Sequence, residues 1–385
     1  MAMPTGAVDF VVVGAGMAGA SLAWELSASA RVLLLEREVQ PGYHATGRSA
    51  AAFIPSYGSA NAALRTLTVA SYPFLQHPPP DFSEAELLRR RGLLTIAPAE
   101  NAEQLLAERD AIKPWVPDIE LLQGAGALHK IPQLRDTAAA SALFEADVFD
   151  MDVDALHQGY LQGLRRQGGY LQCKVQRPTI RRHGGQYLVD TGHGEVRTPV
   201  LVNAAGAWAD ELALQAGVQP VGLQPLRRTA VLIDPPPGAD VADWPLLLAQ
   251  DESFYAKPDA GALLVSPADE HPSAPVDAQP EELDIAYAVH NVQQALHLEQ
   301  PRVRHAWAGL RSFVSDRTPV IGEAADQPGF FWLCGQGGHG IQTAPAAAAL
   351  AAALLLQQSL PPELARTNFD PAWVSPRRLR ASAVQ

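Results

Sequence analysis

The 385-residue sequence predicts an α/β fold in which a Rossmann-like, dinucleotide-binding sheet is interleaved with a second, antiparallel-sheet (α+β) domain. Three observations support this. Residues 8–38, "VDFVVVGAGMAGASLAWELSASARVLLLERE", read as strand, glycine turn, helix and strand. Two later segments, "VLVNAAGAWAD" and "FFWLCGQGGHGIQ", each run from a buried apolar strand into small residues. The chain between them alternates strand-like runs with loops, so one sheet is threaded by three separated pieces of sequence.

In the first unit Gly14 permits the tight turn, Gly16 lets the backbone approach a pyrophosphate, and Gly19 lets helix pack on strand. The helix N-terminus then faces the phosphates. Glu36 lies 22 residues after Gly14, where a carboxylate accepts hydrogen bonds from the adenosine ribose and disfavours a 2′-phosphate. The motif does not separate FAD from NAD, which share the same ADP half.

Beyond this unit, "PGYHATGRSAAAFIPSYG" is too rich in glycine and small polar residues for a long helix. A helix is expected over 61–74, followed by a break at "QHPPPDF". A second helix should start near Asp154 after an acidic turn. "GQYLVDTG" and "TPVLVNAAGAW" read as strands, "FYAKPDAGALLVSPA" as a hairpin and "EELDIAYAVHNVQQALHLE" as an amphipathic helix. The segment 344–356 reads as a buried alanine-rich helix, shorter than the roughly 20 residues needed to cross a bilayer.

Composition sets the class. At 47% apolar residues the chain can bury a large core. With 29 basic and 41 acidic residues the formal charge is −12, which disfavours a general nucleic-acid or anionic-membrane surface. Cys173 and Cys334 form neither a CxxC pair nor a disulfide framework, and no basic region precedes the first apolar run. A reduced, cytoplasmic compartment is expected, without a transmembrane segment and with peripheral membrane attachment still allowed.

Seven blocks in order, "LEREVQPGYHATGRSAA", "DALHQGYLQGLRRQGG", "VLVNAAGAWAD", "GLQPLRRTA", "DESFYAKPDAG", "WAGLRSF" and "GQGGHGIQT", carry a family resemblance. The chain resembles the superfamily of FAD-dependent D-amino-acid, glycine and sarcosine oxidases, and among them the bacterial D-arginine dehydrogenases. The resemblance implies FAD in a glutathione-reductase-type domain made of 1–83, 151–222 and 306–385, with 84–150 and 223–305 forming the substrate domain. It assigns Gly14, Gly16, Gly19, Glu36 and Arg37 to the ADP site. Thr46, Arg48 and Ser49 are assigned to the loop beside pyrophosphate and flavin, Gly206 and Trp208 to the second FAD strand. Gly337, Gly338, Gly340, Ile341 and Gln342 correspond to the C-terminal loop near the isoalloxazine. Neither cysteine matches the position that tethers FAD in sarcosine oxidases, so the cofactor is expected to be non-covalent.

The resemblance further implies that Arg311 and Arg228, helped by Tyr57 and Tyr255, hold a substrate carboxylate, with Arg227 competing for the role of Arg228. Guanidinium suits this task because its donors are planar and bidentate. His339 has two readings, proton acceptor or redox tuner beside the flavin, and loop packing. Where enzymes that prefer arginine or lysine carry a glutamate, this chain has Gly92; where they carry histidine and threonine, it has Ala52 and Ile54. Small or apolar side chains are therefore expected, acidic ones ranking second through Arg89, Arg90 and Arg91, whose default reading is a solvated strand edge. The reaction expected is hydride transfer from Cα to flavin N5, giving an imino acid that hydrolyses to 2-oxo acid and ammonia, with quinone or O₂ as acceptor. Alternatives are a glycine or sarcosine oxidase, a 2-hydroxy-acid or glycerol-phosphate dehydrogenase, and a non-catalytic FAD-binding subunit.

Overall fold

The structure, a computed structural model, describes residues 6–381. Its first sheet has six strands in the order 170–172, 32–35, 10–13, 200–203, 330–334, 320–323. All pair in parallel except the last, which runs antiparallel to Phe330–Cys334. The expected three-piece threading is what forms it.

Strand Phe10–Val13 lies in the middle and is buried on both faces. Phe10 and Val12 pack under the helices Met17–Ser27, Val153–Arg166 and Ala344–Leu355. Val11 and Val13 pack on the opposite side, with Ile180, Tyr187, Val189 and Val196 of an antiparallel ribbon. A run of consecutive apolar β-branched residues is therefore required, since successive side chains point to opposite faces.

The second sheet has nine strands, among them Leu93–Ala97, Ser141–Glu145, Leu246–Ala249, Tyr255–Asp259, Ala262–Ser266, Gln224–Ile233 and Val303–Phe313. Its pairing is antiparallel except between Leu93–Ala97 and Leu246–Ala249. One face carries Leu94, Ile96, Leu247, Ala256, Val265 and Val231 and is covered by the helix Glu282–Ala295, whose buried Ala288, Val292 and Ala295 join the same core. By the two-residue alternation, the other face carries Glu145, Leu93, Leu248, Tyr255, Arg228 and Arg311.

The helices expected over 61–74, from Asp154 and over 344–356 are observed at Ala62–Gln76, Val153–Arg166 and Ala344–Leu355. Asn61 caps the first by accepting from the Ala63 and Leu64 amides, and Asp152 caps the second by accepting from Ala155. The hairpin Tyr255–Asp259 with Ala262–Ser266 forms as expected. The boundary drawn at 306 falls inside strand Val303–Phe313, which pairs along its length with Gln224–Ile233; sheet membership changes only with Val320–Glu323. No described helix is long and apolar enough to cross a membrane.

Candidate active site

A continuous cavity of about 440 Å³ runs between the two sheets. At one end it is lined by Glu36, Arg37 and Trp208, in the middle by Gly14, Gly16, Thr46, Arg48, Ser49 and Gly206, and at the other by Arg228, Tyr255, Arg311, Gly337, Gly338, Gly340 and Ile341. Most of the residues singled out in the sequence thus meet on one surface.

The glycines of the turn have distinct tasks. Gly14 has φ +104°, and a Cβ there would lie 2.3 Å from the Ala204 carbonyl oxygen. Gly19 is in ordinary helix, but a Cβ would lie 1.8 Å from the Gly14 oxygen; it is the helix–strand contact. The Glu36 carboxylate accepts from the Ala15 amide at 3.0 Å and the Glu38 amide at 2.9 Å. These bonds orient it with acceptor capacity left for hydroxyl donors in the cavity.

Thr46 caps the helix that starts at Met17: its Oγ1 accepts from the Met17 amide at 2.9 Å, a role that Gly16 at the cap position has no side chain to fill. Arg37 lies over the Trp208 ring at 4.5 Å, and His44 packs against that ring at 4.6 Å. Arg48 donates to the carbonyls of Ala278 and Ala308 and pairs with Asp277, while the Trp307 indole donates to the Arg48 carbonyl at 3.0 Å. Arg48 therefore holds the loop against the substrate sheet.

At the far end the strand register decides which arginine enters. Arg228 is opposite Gly309 and Leu226 is opposite Arg311, so Arg228 and Arg311 are diagonal neighbours on the cavity face. Arg227 points to the other face, bound to Glu281 and Asp284. Arg228 is oriented by the Asp269 carbonyl at 2.7 Å and Glu270 at 3.3 Å; burial and the neighbouring Arg311 cation push its pKa down. The Arg311 side chain, by contrast, makes one hydrogen bond among the described residues, to the Tyr57 hydroxyl at 3.4 Å, and no ion pair. A cation lining a cavity with its donors uncommitted is a receptor for an anion.

Tyr57 does not line the cavity itself; its ring stacks on His339, centroids 4.3 Å apart, and its hydroxyl reaches Arg311. A Cβ on Gly338 would lie 2.8 Å from that hydroxyl, so glycine is needed for the approach. His339 is buried behind the tyrosine with its Nε2 unpartnered, and burial together with the Arg311 and Arg317 cations pushes its pKa down to about 3. It stays neutral and away from the cavity, the geometry of loop packing. Gln342 also stands outside: it accepts from the Ile54 amide at 3.1 Å and donates to Thr68 at 3.0 Å.

Ala52 and Ile54 do not line the cavity, and neither does Gly92; Ala52 and Ile54 pack with Leu248 and Tyr255 around Leu93, Val148 and Leu246, and of this cluster Tyr255 reaches the cavity beside the arginines. Gly92 has φ +78°, and a Cβ there would meet the Phe144 ring at 2.9 Å. Of the three consecutive arginines, Arg90 is exposed and paired with exposed Asp147. Arg91 departs from the expected solvated edge: its side chain is 8% exposed, pairs with Asp150 and donates to the carbonyls of Ala242 and Trp244.

Sequence reasoning missed two groups. His157, 3% exposed, shares a 2.9 Å hydrogen bond with the Ala15 carbonyl and so ties the helix Val153–Arg166 to the glycine turn. Glu145, 4% exposed, accepts from Ser56 at 2.5 Å. Neither had a local signal, because each acts on a segment far away in sequence.

An extended dinucleotide fits these features. The glycine cradle, the helix N-terminus at Met17 and the Glu36 carboxylate would hold its ADP half. Of the two cysteines, neither lines the cavity and Cys334 is buried within strand Phe330–Cys334.

Comparison with known proteins bears on the same features. Residues 9–354 match the family described as DAO, FAD dependent oxidoreductase. The hydrogen cyanide synthase subunit HcnC of Pseudomonas aeruginosa is 28% identical over 232 residues, covering 57% of this chain and 53% of that protein. Human mitochondrial sarcosine dehydrogenase is 29% identical over 166 residues, 40% of this chain and 17% of that one. The chain thus spans about half or less of the length of these relatives. Glycine oxidase from Geobacillus kaustophilus superposes with a TM-score of 0.83 at 22% identity, covering 96% of this chain and 98% of its own. L-proline dehydrogenase from P. horikoshii gives 0.82 at 18%, covering 99% of both. With the family match over most of its length, the chain belongs to the DAO family of FAD-dependent oxidoreductases.

Proposed function

We propose that the protein oxidises free amino acids with neutral, small or apolar side chains, preferring the D configuration, to imino acids that hydrolyse to 2-oxo acids and ammonia. The observation that supports this best is the pair Arg228 and Arg311 on one sheet face, beside Tyr255 and the apolar cluster it packs with, Ala52, Ile54 and Leu248. The preference for the D isomer rests on the seven sequence blocks. Sites assigned above serve this reading: Glu36, Gly14 and Gly16 for the cofactor, Arg311 and Tyr57 for the substrate.

Arg311 takes the carboxylate, held from behind by Tyr57, whose hydroxyl accepts from its guanidinium at 3.4 Å. Arg228, already held by Asp269 and Glu270, adds positive potential and one edge of its guanidinium. Fixing the carboxylate at one end and the side chain against Tyr255 leaves Cα one orientation, and most of the rate enhancement comes from that positioning. Bound FAD supplies the two-electron acceptor. His339 is neutral and behind Tyr57, so the substrate amine sheds its proton to solvent. The absence of a carboxylate at Gly92, where a Cβ would strike Phe144, disfavours arginine as substrate.

The test is anaerobic. Each D- and L-amino acid, glycine and sarcosine is added to the FAD-loaded protein, and the oxidised-flavin absorbance is followed. Bleaching by neutral D-isomers is expected, and re-admission of air then separates O₂ from a quinone as acceptor. Bleaching by D-arginine alone would overturn the side-chain reading, and no bleaching by any amino acid would overturn the activity. A second reading, a glycine- or sarcosine-type amine oxidoreductase, is supported by the sarcosine dehydrogenase similarity; bleaching by glycine or sarcosine in preference to larger side chains decides for it.

A further inference from the structure

Glu145 is a buried carboxylate that the reading above leaves without a task. It ends strand Ser141–Glu145 on the cavity face of the nine-stranded sheet, directly opposite Leu93. Its Oε1 accepts from the Ser56 hydroxyl at 2.5 Å, and its Oε2 is buried with no partner. Such an oxygen is costly to bury. Ser56 immediately precedes Tyr57, whose ring stacks on His339 and whose hydroxyl meets Arg311.

Resting on the reading that Arg311 receives the substrate carboxylate, we propose that Glu145 is a positioning residue: through Ser56 it fixes the 55–60 turn so that Tyr57 stays beside Arg311. The ionised carboxylate holds Ser56 more tightly than the neutral acid, because hydrogen bonds to charged acceptors are roughly twice as strong. Anion affinity at Arg311 therefore depends on the charge of a residue that does not touch the anion.

The surroundings put that charge change in a useful range. Burial, opposed by hydrogen bonds from the Ser56 hydroxyl and the Ser56 amide and reinforced by Glu108, pushes the Glu145 pKa up to about 7. Glu108 reaches it from the helix Ala102–Ile112; burial and Glu252 raise Glu108 as well, and a hydrogen bond from Gln250 opposes them. On the sheet face, Lys257 is engaged by Asp150 and the Ala51 carbonyl, and Arg91 by Asp150. The folded pKa lies above the ordinary carboxyl value, so the charged, tightly bonded form appears only as pH rises through about 7.

The experiment uses the FAD-loaded protein and benzoate, a carboxylate without an amine, read by the perturbation of the flavin spectrum between pH 6 and 8. Wild-type affinity should tighten about threefold across this range as the bond to Ser56 strengthens. Ser56→Ala loses the hydroxyl but keeps the amide, so it should be weaker by about five- to tenfold at pH 8, the loss of one hydrogen bond, with a shallower pH slope than wild type. Glu145→Gln keeps an acceptor for Ser56, so it should hold near the wild-type pH 6 affinity at every pH, while Glu145→Leu, which removes the acceptor for both the hydroxyl and the amide, should be at least as weak as Ser56→Ala and show no pH slope. Glu108→Gln should move the midpoint to lower pH and keep the slope.

Ser56 is a turn residue, so its variant does not depend on the core for folding. Ser56→Ala with wild-type affinity and slope, or Glu145→Gln retaining the slope, would overturn the proposal alone. Benzoate that fails to bind the wild type, or binds Arg311→Met as well as wild type, would overturn the carboxylate reading and this proposal with it.

Discussion

Replacing Arg311 by Met should weaken substrate binding by about two orders of magnitude and leave the protein folded and flavin-loaded. Arg311 has no ion pair among the described residues and donates once, to Tyr57 at 3.4 Å, so its removal strands no buried carboxylate. The loss is then that of the bonds made to the substrate. A bidentate guanidinium–carboxylate contact comprises two charge-assisted hydrogen bonds of roughly 1.5–3 kcal/mol each. Because Arg228 remains on the same face and the cavity admits water, the lower end, about 3 kcal/mol, applies, which is roughly a hundredfold in affinity. Arg311→Lys, with a point charge in place of the fork, should lose about tenfold. The assay is anaerobic flavin reduction against amino-acid concentration, with benzoate binding as a control free of chemistry. The half-saturating concentration should move far more than the limiting rate, the signature of lost ground-state binding. A change of less than about threefold in Arg311→Met would refute the assignment.

Three further outcomes are expected. Gly19→Ala puts a Cβ 1.8 Å from the Gly14 oxygen, which must displace the turn; the variant should purify with little FAD, measured by the ratio of flavin to protein absorbance. Glu36→Gln keeps one of the two acceptor oxygens that now serve the amides of Ala15 and Glu38; leaving one donor unsatisfied costs about 1–3 kcal/mol, so FAD dissociation should rise by about tenfold or more, measured by dilution into apoprotein-free buffer. His339→Phe preserves the stack on Tyr57 and removes a titratable group. Because the folded His339 pKa is depressed to about 3 from an ordinary 6.5, the unfolded chain binds the extra proton between these values and stability falls as pH drops through that window. The thermal midpoint of the variant should therefore fall less steeply than that of wild type between pH 6.5 and 4.5; equal slopes would show that His339 is not the group responsible.

What the sequence revealed follows from how local each feature is. Gly14, Gly16, Gly19 and Glu36 belong to one strand–turn–helix–strand unit, so their spacing alone places them, and the structure puts Gly14 and Glu36 at the ends of adjacent parallel strands, the Glu36 carboxylate accepting from the Ala15 amide. The choice between Arg227 and Arg228 could not be read locally, since adjacent strand residues point to opposite faces and the deciding fact is the register with Val303–Phe313. The same register places that strand in the substrate sheet across the expected boundary at 306. Arg91 looked solvated in a run of three charges but turns inward to Asp150, a partner 59 positions away. Glu145 and His157 were silent for the same reason: each serves a loop that only the tertiary fold brings near.

The order of strands in the six-stranded sheet bears on how the chain is made. Phe10–Val13 pairs with Val200–Asn203, and that strand with Phe330–Cys334. During synthesis the first apolar strand therefore has one neighbour, Val32–Leu35, and an open edge until residue 203 has left the ribosome. The sheet is not complete, nor is the cavity lined by Gly337, Gly338 and Gly340, until residue 340 has followed. Pairings this distant fold slowly and leave unpaired edges exposed. The cavity surface is therefore the product of the most distant pairing in the sheet.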